Sequence, residues 1–321
     1  MPTDSEWTVS DDEAGTRLDK FLAAAGRAGS RARAAAALER GKVFVNGAEA
    51  RLPAAARRLE RGDVVRIWED RPGSSKRHAW AGQFGELEVV YEDDALLVAN
   101  KPPGLLSVPL ERKMEEPSIF DQVVNHFRSH GKRRPLVVHR IDQDTSGLVV
   151  FAKTSRAQTE LREQFKRREP ERVYWAVVYG CPNPPSGRWS DFLVWDEKAR
   201  IQKETHPRDP KADEAVSEYR VLEKYEGSSL VEIRLHTGRR NQIRIQARLR
   251  GHTLVGEQRY VFGPDVLRPI PFKRQALHAI RLRFRHPITG RDVQFEAPLP
   301  QDLADLLLRL RKKQRSASRG S

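Results

Sequence analysis

Residues 139–153 read HRIDQDTSGLVVFAK. His139, Arg140, Asp142 and Asp144 crowd the start of this stretch. Thr145-Ser146-Gly147 follows as a small-residue turn, and Leu148-Val149-Val150-Phe151-Ala152 then reads as a buried strand. Leu136-Val137-Val138, just before it, reads as another. An acid is therefore held on a tight loop between two strands, and loops fixed by a rigid scaffold often carry chemistry. The plain alternative is that Asp, Ser, Thr and Gly are ordinary turn formers. On that reading Arg140 and Asp142 form a surface ion pair of little energetic worth.

The stretch HRIDQDTSGLVVFAKT resembles, almost position for position, the central motif of RluA-type pseudouridine synthases: His-Arg-Leu-Asp-x-x-Thr-Ser-Gly, then an apolar strand ending Ala-Lys. In that family the Asp is catalytic, and the resemblance places this role on Asp142.

Other segments extend the likeness. YEDDALLVANKPPGLLSVP, residues 91–109, is similar to the family's first motif, whose Lys-Pro-x-Gly shapes a loop near the active site. Lys101 is then either a phosphate contact or an ordinary surface lysine. Tyr174 stands where the family has a Tyr that packs on the target uracil. Without the resemblance it reads as a core strand aromatic. Arg172 replaces the family's usual Lys two places earlier. The third motif, Thr-Gly-Arg-Thr-His-Gln-Ile-Arg and Gly-His-Pro-x-x-Gly-Asp-x-x-Tyr-Gly, is matched with departures. Arg240, Asn241, Thr253, Glu257 and Val261 replace Thr, His, Pro, Asp and the final Gly. Gln242-Ile243-Arg244 survives. The resemblance pairs Arg244 with the catalytic Asp, gives Arg140 the vacated space in the RNA or a phosphate, and puts Ile243 and His139 at the pocket.

Nearer the N-terminus, Leu18, Phe21 and Leu22 are at helical spacing, Ser30 can cap a second helix over residues 31–40, and Asn46-Gly47 is a hairpin signal. Arg27, Arg31, Arg33 and Lys42 cluster around that second helix and suit phosphate contact, or else form a solvated face. RLDKFLAAAG, SRARAAAALERGKVFVNG and RGDVVRI resemble an S4 RNA-binding domain, although the run Ala34–Ala37 predicts a thin core.

Composition fits a polyanion partner: 58 Lys and Arg against 44 Asp and Glu give a net charge of +14 over 321 residues. One cysteine, Cys181, excludes a disulfide framework and a cysteine zinc site. His278 and His286 lack a third ligand at regular spacing, so no metal site is predicted. No stretch approaches the roughly 20 apolar residues of a membrane helix. The acidic N-terminus lacks a signal peptide's regions, so a cytoplasmic protein is expected. The hydrolase elbow, the phosphate-binding loop and the dinucleotide fingerprint are all missing.

The predicted fold class is α+β. A flexible tail (1–15) leads to an S4-like domain of two helices and a short hairpin (16–68). A linker (69–85) joins it to a synthase domain with a mixed, largely antiparallel central sheet flanked by helices (86–310), and a basic tail follows (311–321). Residues 180–228 offer turns and polar strands with few functional cues. The resemblance implies isomerisation of uridine in RNA without a cofactor, since the reaction has no net redox change or hydrolysis. Large-subunit ribosomal RNA is the expected substrate and a monomer the expected state. The alternatives are transfer RNA as substrate, or a non-catalytic RNA-binding assembly factor.

Overall fold

The computed structural model of the chain describes residues 5–39, 41–50, 52–68, 85–109, 116–129, 134–261 and 270–317. The chain divides into two units, Met1–Ala81 and Gly82–Ser321.

The first unit contains strand β1 (Ser5–Thr8), helices α1 (Leu18–Ala23) and α2 (Arg31–Glu39), strands β2 (Val43–Val45) and β3 (Ala48–Ala50), a 3-10 turn at Leu52–Ala56 and strand β4 (Val64–Ile67). Leu18, Phe21 and Leu22 all point into the core, as their spacing requires. The Ser30 hydroxyl accepts the Arg33 amide at 3.2 Å and starts α2. Asn46 and Gly47 both take positive φ, 52° and 77°, which closes the tight β2–β3 hairpin. The four strands pair in the order β1-β4-β2-β3. Here the expected tail is corrected: Ser5–Thr8 pairs antiparallel with β4, and Val9 is buried behind it. SEWT is polar because an edge strand needs only one covered face.

Arg27 also departs from expectation. Its guanidinium lies 3.4 Å from the centre of the Phe21 ring, pairs with Glu13 at 2.5 Å and donates to the Phe21 carbonyl at 2.9 Å. It braces the unit internally, and its side chain is 13% exposed. Arg31 and Arg33 are exposed on α2, and Lys42 is half-buried.

The second unit is built on an 11-stranded sheet. Its elements in order are β5 (Glu88–Glu92), β6 (Leu96–Lys101), α3 (Ile119–Ser129), β7 (Leu136–Val137), β8 (Ser146–Ala152), α4 (Ser155–Lys166), β9 (Glu171–Tyr179), β10 (Ser186–Asp196), β11 (Ile201–Glu204), β12 (Asp213–Tyr225), β13 (Ser228–Leu235), α5 (Gln242–Leu249), β14 (Leu277–Arg285), β15 (Asp292–Glu296) and α6 (Gln301–Ala317). The strand order is β11-β10-β12-β13-β9-β14-β8-β6-β5, with β7 added on β8 and β15 on β14. Among the described strands only β8 and β14 pair in parallel; the other strand pairs are antiparallel.

Every residue of β8 is buried, so this continuous apolar run lies in the middle of the sheet with both faces covered. Val149 and Phe151 face the cluster with α3 and α5, and Leu148 and Val150 face the cluster with α4. Gly147, at φ +110°, lets β14 approach: a Cβ there would stand 2.3 Å from the Ala279 carbonyl oxygen.

The basic tail expected from residue 311 is instead helical as far as Ala317. Arg311 grips Glu223 through bonds of 2.8 and 2.6 Å. Residues 318–321, and nearly all of the expected linker, lie outside the described residues.

Candidate active site

The loop between β7 and β8 carries Asp142 and is fastened on three sides. Ser107 donates to the Ile141 carbonyl at 2.7 Å and accepts the Ile141 amide at 3.1 Å. The Lys101 ammonium donates to the carbonyls of Pro102, Leu105 and Gln143 at 2.8, 2.7 and 2.7 Å. Arg274 donates to the Asp144 carbonyl at 2.9 Å and is itself held by Asp302 at 2.7 and 3.0 Å. Ile141 is buried in the core, which leaves its neighbour Asp142 turned outward with its side chain 25% exposed.

Lys101 is therefore neither of the things its sequence suggested. It is fully buried beneath the loop and ties two segments of backbone together. Burial lowers its pKa to about 7; Asp144 and Asp142 favour the charge and Arg274 opposes it.

Arg244 reaches Asp142 from the first turn of α5, with Nη1 3.4 Å from Oδ2. Its other edge is bound more closely: Nε and Nη2 donate to the two oxygens of Glu257 at 2.7 and 2.6 Å. The Glu257 side chain is completely buried and also accepts the amides of Gln258, Arg259 and Tyr260. Burial works against both charges. The mutual bonds outweigh it, raising the Arg244 pKa and lowering that of Glu257. Asn241 heads α5 at φ 54°, a left-handed conformation that Asn tolerates. Its carbonyl oxygen accepts from Arg244 Nη1 at 3.2 Å and its amide donates to the Tyr260 hydroxyl at 3.1 Å. Asn241 and Glu257, which look like departures in the sequence, thus build the cradle of Arg244.

The acid opens onto a cleft of about 530 Å³. Its lining includes Asp142, Arg244, Tyr174, Arg140, His139 and Ile243, six of the residues predicted from sequence. The His139 ring stacks on Phe165 at 4.7 Å, and its Nε2 accepts the Val150 amide at 3.1 Å. That bond needs a neutral ring, and burial first, then the charge of Arg172, lowers the His139 pKa to about 3. Burial pushes the Tyr174 hydroxyl up to about 12; Arg172 opposes the rise and Asp142 adds to it. Arg140 is exposed and makes no hydrogen bond or ion pair among the described residues. The lining also holds Lys166, Arg168, Arg172 and Arg239, of which the sequence marked only Arg172, at the family's usual Lys position. The signal for the other three was the basic run Lys166-Arg167-Arg168 and the Thr237-Gly238-Arg239 turn. Among the described residues, Asp142 is the sole acid in the lining, beside six Arg and Lys residues.

No cluster of three or more His, Cys, Asp or Glu among the described residues is arranged to hold a metal. His278 lies 3.0 Å from Ser146 and His286 lies 2.7 Å from Asp93. Arg31, Arg33 and Lys42 belong to the first unit.

The RNA pseudouridylate synthase family profile matches residues 95–249, and the S4 domain profile matches residues 16–65. The RNA pseudouridine synthase YlyB of Bacillus subtilis is 37% identical over 313 residues, covering 95% of this chain and 97% of the relative. The chain belongs to the RNA pseudouridylate synthase family.

Two further relatives of this pseudouridine synthase carry the name ribosomal large subunit pseudouridine synthase D. That of Zymomonas mobilis is 35% identical, covering 94% of this chain and 96% of the relative. That of Vibrio cholerae is 32% identical, covering 95% and 94%. The fold is similar to that of human RNA pseudouridylate synthase domain containing 4, with TM-score 0.58 and 22% identity over 70% of this chain and 93% of that one. The synthase profile spans Asp142, Tyr174 and Arg244.

Proposed function

We propose that this pseudouridine synthase acts on uridine in large-subunit ribosomal RNA, with Asp142 as the acid that works at the sugar. One observation carries the site assignment: among the described residues, Asp142 is the only carboxylate in a cleft otherwise ringed by Arg140, Lys166, Arg168, Arg172, Arg239 and Arg244. Such a ring draws in a polyanion and leaves one group able to act as nucleophile or base. The names of the relatives from Vibrio cholerae and Zymomonas mobilis support ribosomal RNA.

The reaction cuts the bond from C1′ to N1, turns the uracil and rejoins it through C5. The target must leave the RNA stack to reach an acid inside a cleft, and unstacking costs a few kcal/mol. Contacts to the flanking phosphates offset this, and exposed Arg140 at the cleft supplies one. Tyr174 and Ile243 offer the flipped base its walls. Arg244 keeps a cation against Asp142 while Glu257 balances the rest of its charge.

The test maps pseudouridine in total RNA from cells with the wild-type gene, a deletion and Asp142→Ala. Loss of the same large-subunit sites in both mutants supports the proposal. Loss confined to transfer RNA overturns the substrate assignment. Full modification with Asp142→Ala overturns the acid.

A further inference from the structure

Arg172 is a cation in the cleft wall that no carboxylate answers. Arg168 pairs with Glu214 at 3.1 Å, Arg239 with Asp213 at 2.9 Å and Arg244 with Glu257 at 2.6 Å. Arg172 has no such partner among the described residues. Its Nε is buried without a hydrogen bond. Its Nη2 reaches the His236 carbonyl only at 3.5 Å, and its guanidinium carbon lies 5.7 Å from the centre of the Phe165 ring. Nη1 makes no bond and is not among the buried orphan atoms. Burial and the nearby Arg168 both lower the Arg172 pKa, while Tyr174 opposes this. Protein folds seldom keep a desolvated, unpaired charge without use for it.

The surroundings show what it awaits. Arg172 and Tyr174 are two apart on β9, so their side chains stand on one face of the strand. Tyr174 is coupled electrostatically to Arg172 and to Asp142. Gly238 has no side chain, and a Cβ there would come within 2.4 Å of Arg172 Nη1. The turn after β13 is therefore bare where the guanidinium lies across it.

We propose that Arg172 is a catalytic residue whose Nη1 receives a carbonyl oxygen of the target uracil and stabilises the base while it is detached from the sugar. This rests on the cleft and the acid assigned above. When the C1′–N1 bond breaks, its electron pair leaves with the base and spreads over N1 and both carbonyl oxygens. The pair returns as C5 bonds to C1′; C5 loses its proton and N1 gains one, so atoms and electrons balance. A fixed donor aimed at charge that develops during the reaction favours the transition state over bound substrate. Phosphates suit the exposed Arg140 and Lys166, because they keep their water. A half-buried guanidinium beside Tyr174 suits the flat, desolvated base.

The experiment uses full-length protein and ribosomal RNA purified from the deletion strain. Single-turnover rate at saturating enzyme, RNA affinity, its salt dependence and the thermal midpoint are measured for wild type, Arg172→Met and Gly238→Ala. The second variant keeps the charge but pushes the flexible tip of Arg172 aside. For Arg172→Met the rate should fall about 100-fold, as for removal of one oxyanion donor, with affinity within about threefold. Its thermal midpoint should equal or exceed that of wild type, because a half-buried charge with no carboxylate partner is gone. Gly238→Ala should fold normally and be slowed in the same sense. If affinity falls as far as the rate and the salt slope drops by about one, Arg172 binds a phosphate and the proposal is overturned. If Arg172→Met unfolds more easily while Gly238→Ala turns over normally, the cation is structural and the proposal is overturned. A wild-type protein that modifies none of this RNA points to a failed substrate assignment, a different result from either.

Discussion

Arg244 is bound more closely by Glu257 than by Asp142: two hydrogen bonds of 2.7 and 2.6 Å against one of 3.4 Å. The fully buried carboxylate fixes the guanidinium, and the partly exposed one borrows a single N–H from it. Asp142 thereby keeps a cation at its side without being locked in a two-pronged pair.

Glu257→Gln removes a partner from a buried cation, which typically destabilises by about 3–5 kcal/mol. Turnover should fall at least about tenfold, because Arg244 is free to close on Asp142. Glu257→Asp should recover much of both properties. Asp142→Asn should melt within about 1 kcal/mol of wild type, as expected when a partly exposed pair is lost, yet be inactive. Calorimetry and single-turnover assays on the same samples check this. An Asp142→Asn protein as unstable as Glu257→Gln would show that Asp142 is the true anchor.

Lys101 has a folded pKa of about 7 against 10.5 for the free side chain. Between those values the unfolded chain carries the extra proton, so this group makes stability rise with pH from about 7 to 10.5. Lys101→Met should flatten that rise in urea midpoints measured at several pH values. It should also destabilise at all of them, since each stranded carbonyl costs about 1–3 kcal/mol.

His139 and His278 shift the opposite flank of the profile. Burial takes their folded values to about 3 and about 4, against 6.5 when free. Their contribution is complete above pH 6.5 and is lost as pH falls toward 4, because only the unfolded chain takes up protons there. The slope of stability against pH between 6.5 and 5 should approach two protons. Histidine-to-glutamine replacement at 139, which keeps an acceptor for the Val150 amide, should remove about one of them.

In the first unit, Arg27 and the α2 arginines should separate cleanly. Arg27→Ala removes an internal stack and an ion pair and should destabilise the unit by about 1–2 kcal/mol. The pair Arg31→Ala and Arg33→Ala should leave the melting curve unchanged. It should weaken RNA binding and reduce the slope of log affinity against log salt by about two. Fluorescence melts and filter binding at several salt concentrations read both effects.

The residues legible in the sequence were those whose type and spacing belong to one continuous motif. Asp142 and Arg244 lie 102 positions apart and meet, and both stood out because their flanking patterns did. Continuous apolar β8 announced itself by its unbroken run, and α1 by the helical spacing of Leu18, Phe21 and Leu22. Other features gave no such signal. Lys101 looks the same in sequence whether its ammonium meets water or three carbonyls. Strands β10 and β12, of 11 and 13 residues, fall where turns and polar strands were expected, but their lengths were not legible because their exposed and covered positions do not alternate strictly. Glu257 read as a departure from pattern. Only its contact with Arg244 shows that the longer acid still reaches the guanidinium.

The Arg274 clamp has a consequence for when this protein becomes competent. The carbonyl of Asp144, two residues past the acid, is held by an arginine that is held in turn by Asp302 at the start of α6. A nascent chain that has already displayed Asp142 and Arg244 outside the ribosome still lacks the last fastening of its loop. The loop is therefore fully fastened only once α6 has docked and Asp302 holds Arg274. A chain cut before α6 would carry Asp142 and Arg244 yet lack Asp302, and should turn over more slowly than the intact protein.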